Sequence, residues 1–208
     1  MDVSMTLSEL AVACYIYSIV ADDDSYLKFT TTVENSPNLS KKEHRNVLLE
    51  FLNKFGCRHI ANDSDNRKRA SEKILCWYKQ YCKELPKETE KLWKLKDEKL
   101  KSFDEIYSTL SKLFVTLRTN GRNVHLGHVG AAKMLFAIRP NVFPPWDSEI
   151  RKELKKRYQV RSYRDYLKHV KKIILDLKES CKNQKINLDD LPKTLGRTNS
   201  TVSSETYR

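Results

Sequence analysis

Helical periodicity recurs along almost the whole chain, and no stretch alternates apolar and polar residues for more than a few positions. A helix shows its apolar face about every 3.6 residues and a half-buried strand every second residue, so this pattern directs the chain to an all-α fold, a compact multi-helix domain. Six prolines and five glycines in 208 residues fit long helices joined by short turns. The first predicted helix runs from Thr6 to Val20 and ends at Asp22, Asp23 and Asp24. Ser40 is placed to cap a second, with Val47, Leu48, Phe51, Leu52 and Phe55 as its stripe and Gly56 as its stop. A third begins at Ser64 or Asp65 and carries Ala70, Ile74, Leu75, Trp77 and Tyr78.

Further along, residues Lys87 to Leu100 set Leu92, Trp93, Leu95 and Leu100 among charges. Ser102-Phe103-Asp104-Glu105 then has the capping-box form and opens a predicted helix from Phe103 to Leu117. Near the end, Tyr166, Val170, Ile173, Ile174 and Leu177 make one stripe, with Arg164, Lys168, Lys171 and Lys172 largely on the other side. No internal repeat is visible. Residues 1–192 read as one helical domain, and 193–208 as a disordered polar tail with too few apolar side chains to fold.

Charge narrows the partners. The chain has 39 Lys+Arg against 27 Asp+Glu, a net +12, the balance of a protein that meets a polyanion. The excess is uneven: residues 1–40 hold six acids against Lys28 alone, whereas 141–185 hold thirteen Lys/Arg against six acids. A helical protein that docks on an acidic partner would show the same sign, so charge by itself leaves that reading open. The five cysteines are widely spaced without a close CxxC pair, and the five histidines show no HxxxH or His-Cys spacing, so no metal site is predicted. The longest apolar run, Leu10 to Val20, is interrupted by Tyr15, Tyr17 and Ser18 and lacks a basic leader. Neither a membrane span nor a signal peptide is expected, which places the chain inside the cell, in cytoplasm, nucleoid or nucleus.

The segment Asn120 to Ser148, NGRNVHLGHVGAAKMLFAIRPNVFPPWDS, carries the chemistry. Gly127 and Gly130 precede an apolar helix, Ala131 to Ile138, and can turn backbone amides outward where hydrogen bonding and the helix dipole both favour a phosphate. Pro144-Pro145-Trp146 then leads to Asp147 at the start of another helix. Each residue also has a plainer use. Asp147 is a good helix cap, the glycines permit a tight turn, Lys133 suits solvent or phosphate, and Trp146 suits a core anchor.

Leu126-Gly127-His128-Val129-Gly130, the helix after it and Asp147 together resemble the helix-hairpin-helix DNA glycosylase superfamily. Its hairpin has the form Leu-Pro-Gly-Val-Gly, so Gly127 stands at the family's proline and His128 at its first glycine. The resemblance covers about thirty residues, inside a helix-hairpin-helix region of about 103–158. It implies DNA as partner, a damaged base flipped out of the duplex, and Asp147 stabilising the positive charge that builds on the sugar as the base departs. It further implies backbone contacts from Leu126, Gly127, His128 and Gly130, to which the following basic helices add Arg151, Lys155 and Lys168. Trp146, Phe143 and Phe136 are the nearest candidates for a base pocket.

The family needs no organic cofactor and commonly holds a monovalent cation on hairpin carbonyls. Bifunctional members place a Schiff-base lysine two residues after the second hairpin glycine; here that position is Ala132, and Lys133 lies one residue on, about 100° around the helix. The expectation is a base-excising DNA repair protein with Lys133 as candidate nucleophile for AP-lyase chemistry. The alternative is a non-catalytic helix-hairpin-helix module in which Asp147 only caps its helix.

Overall fold

A computed structural model of the protein describes residues 6–10, 12–13, 24–34, 36–55, 57, 64–117 and 120–187. The chain is all-α apart from one short ribbon. Its helices are α1 (Asp24–Thr32), α2 (Lys42–Lys54), α3 (Ser64–Tyr81), α4 (Asp97–Ser111), α5 (Gly127–Ile138), α6 (Ser148–Tyr158) and α7 (Tyr163–Asn183). A 3-10 turn spans Leu92–Lys94, and strands β1 (Phe114–Leu117) and β2 (Asn123–His125) separate α4 from α5. Of the first predicted helix, residues 7–10 and 12–13 are helical, and the rest lies outside the described residues. Gly56 and the tail 193–208 also lie outside them.

By its contacts the chain divides into two compact units, residues 24–168 and residues 1–23 with 169–208. In the second unit, α7 from His169 onward keeps Leu177 and Cys181 buried. The first unit is built around α5. Gly130 to Leu135, Ala137 and Ile138 are all buried, so this helix is apolar on nearly every side, as a helix enclosed by neighbours must be. Helices α4 and α2 pack on it, α1 packs on α2, and α3 packs on α2 and β1.

Helix α2 buries Leu48, Phe51 and Leu52 of its predicted stripe and Leu49 beside them, with Val47 and Phe55 half-buried, but it starts at Lys42 and its N-cap Lys41 provides no side-chain bond. Ser40 is therefore not the cap. His44 explains the entry instead, since its Nδ1 accepts the Asn38 amide at 3.0 Å. Helix α3 begins at Ser64 and buries Ala70, Ile74, Trp77 and Tyr78. Helix α1 has no counterpart in the periodicity, because three consecutive β-branched threonines are poor helix formers. Burial of Phe29, in ring contact with Phe51 of α2 at 6.0 Å, is the tertiary term that overrides them.

Two boundaries between 87 and 117 differ from the sequence reading. Helix α4 starts at Asp97, so Ser102 lies inside it and its hydroxyl donates to the Lys99 carbonyl at 2.8 Å, making no cap. The helix stops at Ser111 rather than Leu117 because Phe114, Thr116 and Leu117 pair with His125, Val124 and Asn123 in an antiparallel ribbon. Val115 and Thr116 bury against the core. Gly121 takes φ +75° at the tip, the left-handed conformation that glycine adopts without penalty. The ribbon ends just before Leu126, and Gly127 to Gly130, expected as a hairpin ahead of a helix from Ala131, form the first turn of α5.

Candidate nucleic-acid interface

The N-terminus of α5 is left open by its own sequence. Leu126 is fully buried, is held by its amide donating to the Leu113 carbonyl at 2.9 Å, and gives no side-chain cap. The next residue, Gly127, has φ +73°, and an added Cβ there would meet nothing within 4 Å. Its glycine is required by conformation rather than space, since an L side chain in that region costs roughly 1–2 kcal/mol. First-turn amides of a helix have no acceptor within the helix, so those of Gly127, His128 and Val129 face outward with the positive end of the dipole.

Cationic groups gather at that end. His128 is exposed, and the Tyr107 hydroxyl lies 3.1 Å from its Nδ1 and 3.3 Å from its carbonyl. Desolvation first, then the charges of Arg151 and Lys112, hold its imidazole below the ordinary histidine value. Whichever tautomer the ring adopts, Nδ1 is engaged by the Tyr107 hydroxyl and Nε2 remains for a further partner. Arg151 on α6 stacks its guanidinium over the Trp146 ring at 5.1 Å, and Lys155 follows one turn later, exposed. Residues four apart share a helix face, so Arg151 and Lys155 form one basic edge.

Asp147 is the N-cap of α6. Its Oδ1 accepts the Ile150 amide at 2.9 Å, and its carbonyl accepts the Arg151 amide at 3.0 Å. Among the described residues, no partner is recorded for Oδ2. The segment before it is clamped by the Tyr166 hydroxyl, which donates to the Pro145 carbonyl at 2.6 Å. Burial first, and the nearby Asp147 carboxylate second, push the Tyr166 hydroxyl well above its ordinary value. It therefore stays protonated and keeps donating.

Trp146, Phe143 and Phe136 do not form a common pocket. Trp146 is 3% exposed and stacks on Tyr166 at 5.1 Å and 7°, within a cluster that includes Tyr107 and Tyr163. Phe143 is fully buried and meets Phe103 edge to face at 5.0 Å. Phe136 instead stacks on Tyr26 of α1 at 5.1 Å. These rings are packing partners, as the plainer reading of Trp146 held.

Lys133 lies apart from the open end of α5. It is 8% exposed, its Nζ donates to the Phe55 carbonyl at the end of α2, and it sits 4.8 Å from the Phe55 ring centroid. Thus its ammonium satisfies a helix C-terminus instead of facing solvent or phosphate. Gly130 is equally internal. A Cβ there would lie 2.9 Å from Leu126 Cδ1 and Cγ, so close packing rather than a turn requires glycine. Leu126 contributes its backbone position only. Lys168 lies 4.0 Å from the Asp97 carboxylate. Carbonyls from Gly127 onward serve the hydrogen bonds of α5, and His128's also lies near the Tyr107 hydroxyl. The monovalent cation implied by the resemblance does not fit that arrangement.

Sequence reasoning missed Tyr107 and Lys112. Tyr107 sits in the apolar stripe of α4 and reads as core, which it also is, at 4% exposed. Only the fold brings its hydroxyl to His128. Among the described residues, no group of three or more His, Cys, Asp or Glu is arranged to hold a metal ion, and no helix is long and apolar enough to cross a membrane. Comparison with protein-family models, curated proteins and solved structures finds no match.

Proposed function

We propose that this chain binds duplex DNA through its phosphate backbone, as a divergent helix-hairpin-helix protein of DNA repair. The amides of Gly127 and His128 and the side chains of His128, Arg151 and Lys155 are the contacts. The observation that carries the reading is the meeting, at one uncapped helix end, of outward amides with His128, Arg151 and Lys112. A phosphate there gains hydrogen bonds, the helix dipole and charge pairing together. The +12 net charge supplies the longer-range attraction.

Base excision is the second reading, and the position of Asp147 favours it. This half-buried carboxylate is fixed at the head of the basic helix α6, with the cap engaging Oδ1. Its charge near a bound backbone would stabilise an oxocarbenium-like sugar. In this reading the enzyme is a DNA glycosylase whose water attacks the sugar, and Lys133 has no part in it.

Fluorescence anisotropy with a labelled duplex over a salt series tests binding. The expected log–log slope is steep, and Arg151→Gln/Lys155→Gln lowers its magnitude by about 1.8, roughly 0.9 for each lost phosphate contact. Affinity that is flat between low and physiological salt refutes the proposal. Incubation with duplexes bearing damaged bases, followed by alkali to cut abasic sites, tests excision. Binding without cleavage of any substrate in the panel leaves the non-catalytic module.

A further inference from the structure

Away from α5 and α6, the first turns of α2 and α3 border a cleft of about 590 Å³. Among the described residues four cations line it, Lys42, Arg45, Arg67 and Lys68, against one carboxylate, Glu72. Arg45 is 6% exposed and locked in place: its Nε donates to Ser71 Oγ at 2.8 Å, and its Nη1 to the carbonyls of Leu39 and Ser40 at 2.7 and 2.9 Å. Arg67 Nη2 donates to the Asn46 carbonyl at 3.3 Å. All these acceptors are neutral. Among the described residues, no carboxylate lies within 4.0 Å of any of the four cations, although Glu72 acts on Arg45 and Glu50 on Arg67 at longer range.

A buried guanidinium held by neutral groups, in a cleft whose lining adds three more cations and one carboxylate, has an electrostatic deficit that an anion would relieve. Helix α2 adds to it, because its N-cap Lys41 makes no side-chain bond and its first amides keep the positive end of the dipole. Four cations against one carboxylate suit an anion bearing more than one negative charge, which is phosphate chemistry rather than a single carboxylate. The volume lies within the roughly 300–1,000 Å³ typical of ligand clefts, so a phosphate ester or diphosphate can enter. We propose that the cleft between the first turns of α2 and α3 is a phosphoryl-binding site, with Arg45 as its fixed floor and Lys42, Arg67 and Lys68 as its walls. It shares no residue with the α5 end and does not rest on the DNA reading.

The test is a titration of the ¹⁵N-labelled full chain with inorganic pyrophosphate, followed by amide chemical shifts. Saturable shifts at Lys42, Asn46, Arg67 and Ser71 are expected, weakened about tenfold or more in Arg67→Gln/Lys68→Gln, the scale of charge-assisted hydrogen bonds. Lys42→Gln, on the opposite helix, is the independent variant, and circular dichroism checks that each variant folds. Shifts that do not saturate, or that survive unchanged in both variants, overturn the proposal. A second titration with undamaged duplex separates the sources of the phosphoryl group. Shifts in the cleft assign it to a nucleic acid backbone; shifts at Gly127, His128 and Arg151 alone assign the cleft to a small phosphate ester. Pyrophosphate binding with no response to duplex anywhere leaves this site standing while the DNA proposal fails.

Discussion

Gly130→Ala is a perturbation for which the fold and the sequence motif call for different outcomes. In a helix, replacing glycine by alanine gains about 1 kcal/mol of propensity when nothing obstructs the methyl. Here the methyl would lie 2.9 Å from both Cγ and Cδ1 of Leu126 and 3.7 Å from Cys57 Sγ. Ordinary carbon contacts are about 3.5–4.0 Å, so a gap of more than half an ångström must open. Cδ1 is the end of a side chain, but Cγ is not, and Leu126 is fully buried with its amide tied to Leu113. Overpacking of this kind costs about 1–3 kcal/mol. Setting the propensity gain against it gives a net loss of about 1 kcal/mol, read as a fall of roughly 2–4 °C in the melting temperature. Urea and thermal unfolding measure it, and in a Leu126→Ala background, where both contacting carbons are gone, the same substitution should no longer destabilise. A Gly130→Ala protein about 1 kcal/mol more stable than the natural chain would refute the packing argument, because it would mean that propensity acts unopposed.

Asp147→Asn keeps a capping oxygen and should change stability by only a few tenths of a kcal/mol, whereas Asp147→Ala should lose about 1 kcal/mol; if the excision reading holds, Asn also reduces base release by orders of magnitude, and wild-type release by Asn would end the catalytic role of the carboxylate. Lys133→Met leaves the Phe55 carbonyl without its donor and should destabilise by about 1–3 kcal/mol, with Lys133→Gln losing less; borohydride added with abasic DNA should trap no adduct through Lys133, and an adduct that Lys133→Gln abolishes would overturn the packing role. His44 is buried with Nδ1 accepting an amide, and desolvation, then Lys41, lower its pKa, so the folded state binds the proton less readily than the unfolded state. Its contribution is therefore present above the unfolded value near 6.5 and is lost as pH falls below it, by at most about 1.4 kcal/mol per pH unit; His44→Asn should flatten that part of a pH–stability curve, and an unchanged curve would refute the assignment.

The helical class and several helices were legible because burial of one face imposes a local period. The stripe of α2, the start of α3, and the Asp147 cap of α6 depend on residues three or four apart, and there the sequence reading and the structure agree. A capping box is also local, yet it misled at Ser102, since the same residues are compatible with the middle of a helix when nothing upstream breaks it. Helix α1 was illegible for the opposite reason: its intrinsic propensity is poor, and burial of Phe29 on α2 decides it.

The candidate interface divides in the same way. By itself the sequence determined a basic, all-α protein with two glycines ahead of an apolar helix and a capping aspartate at 147, because charge, periodicity and caps are properties of single segments; that the helix begins at Gly127 rather than Ala131 is a finding of the structure. Only the tertiary structure decided which neighbours those residues meet. Tyr107 reaches His128 across 21 positions, and Lys133 reaches Phe55 across 78, so the first was not singled out from the sequence and the second was read as an exposed cation or nucleophile. The ribbon from Phe114 to His125 was likewise settled by pairing and by burial of Val115, Thr116 and Val124 against distant helices. A side chain's direction on a helix is set by its position, but whether that direction leads to solvent, to a ligand or to another helix's carbonyl depends on contacts between segments far apart in the chain.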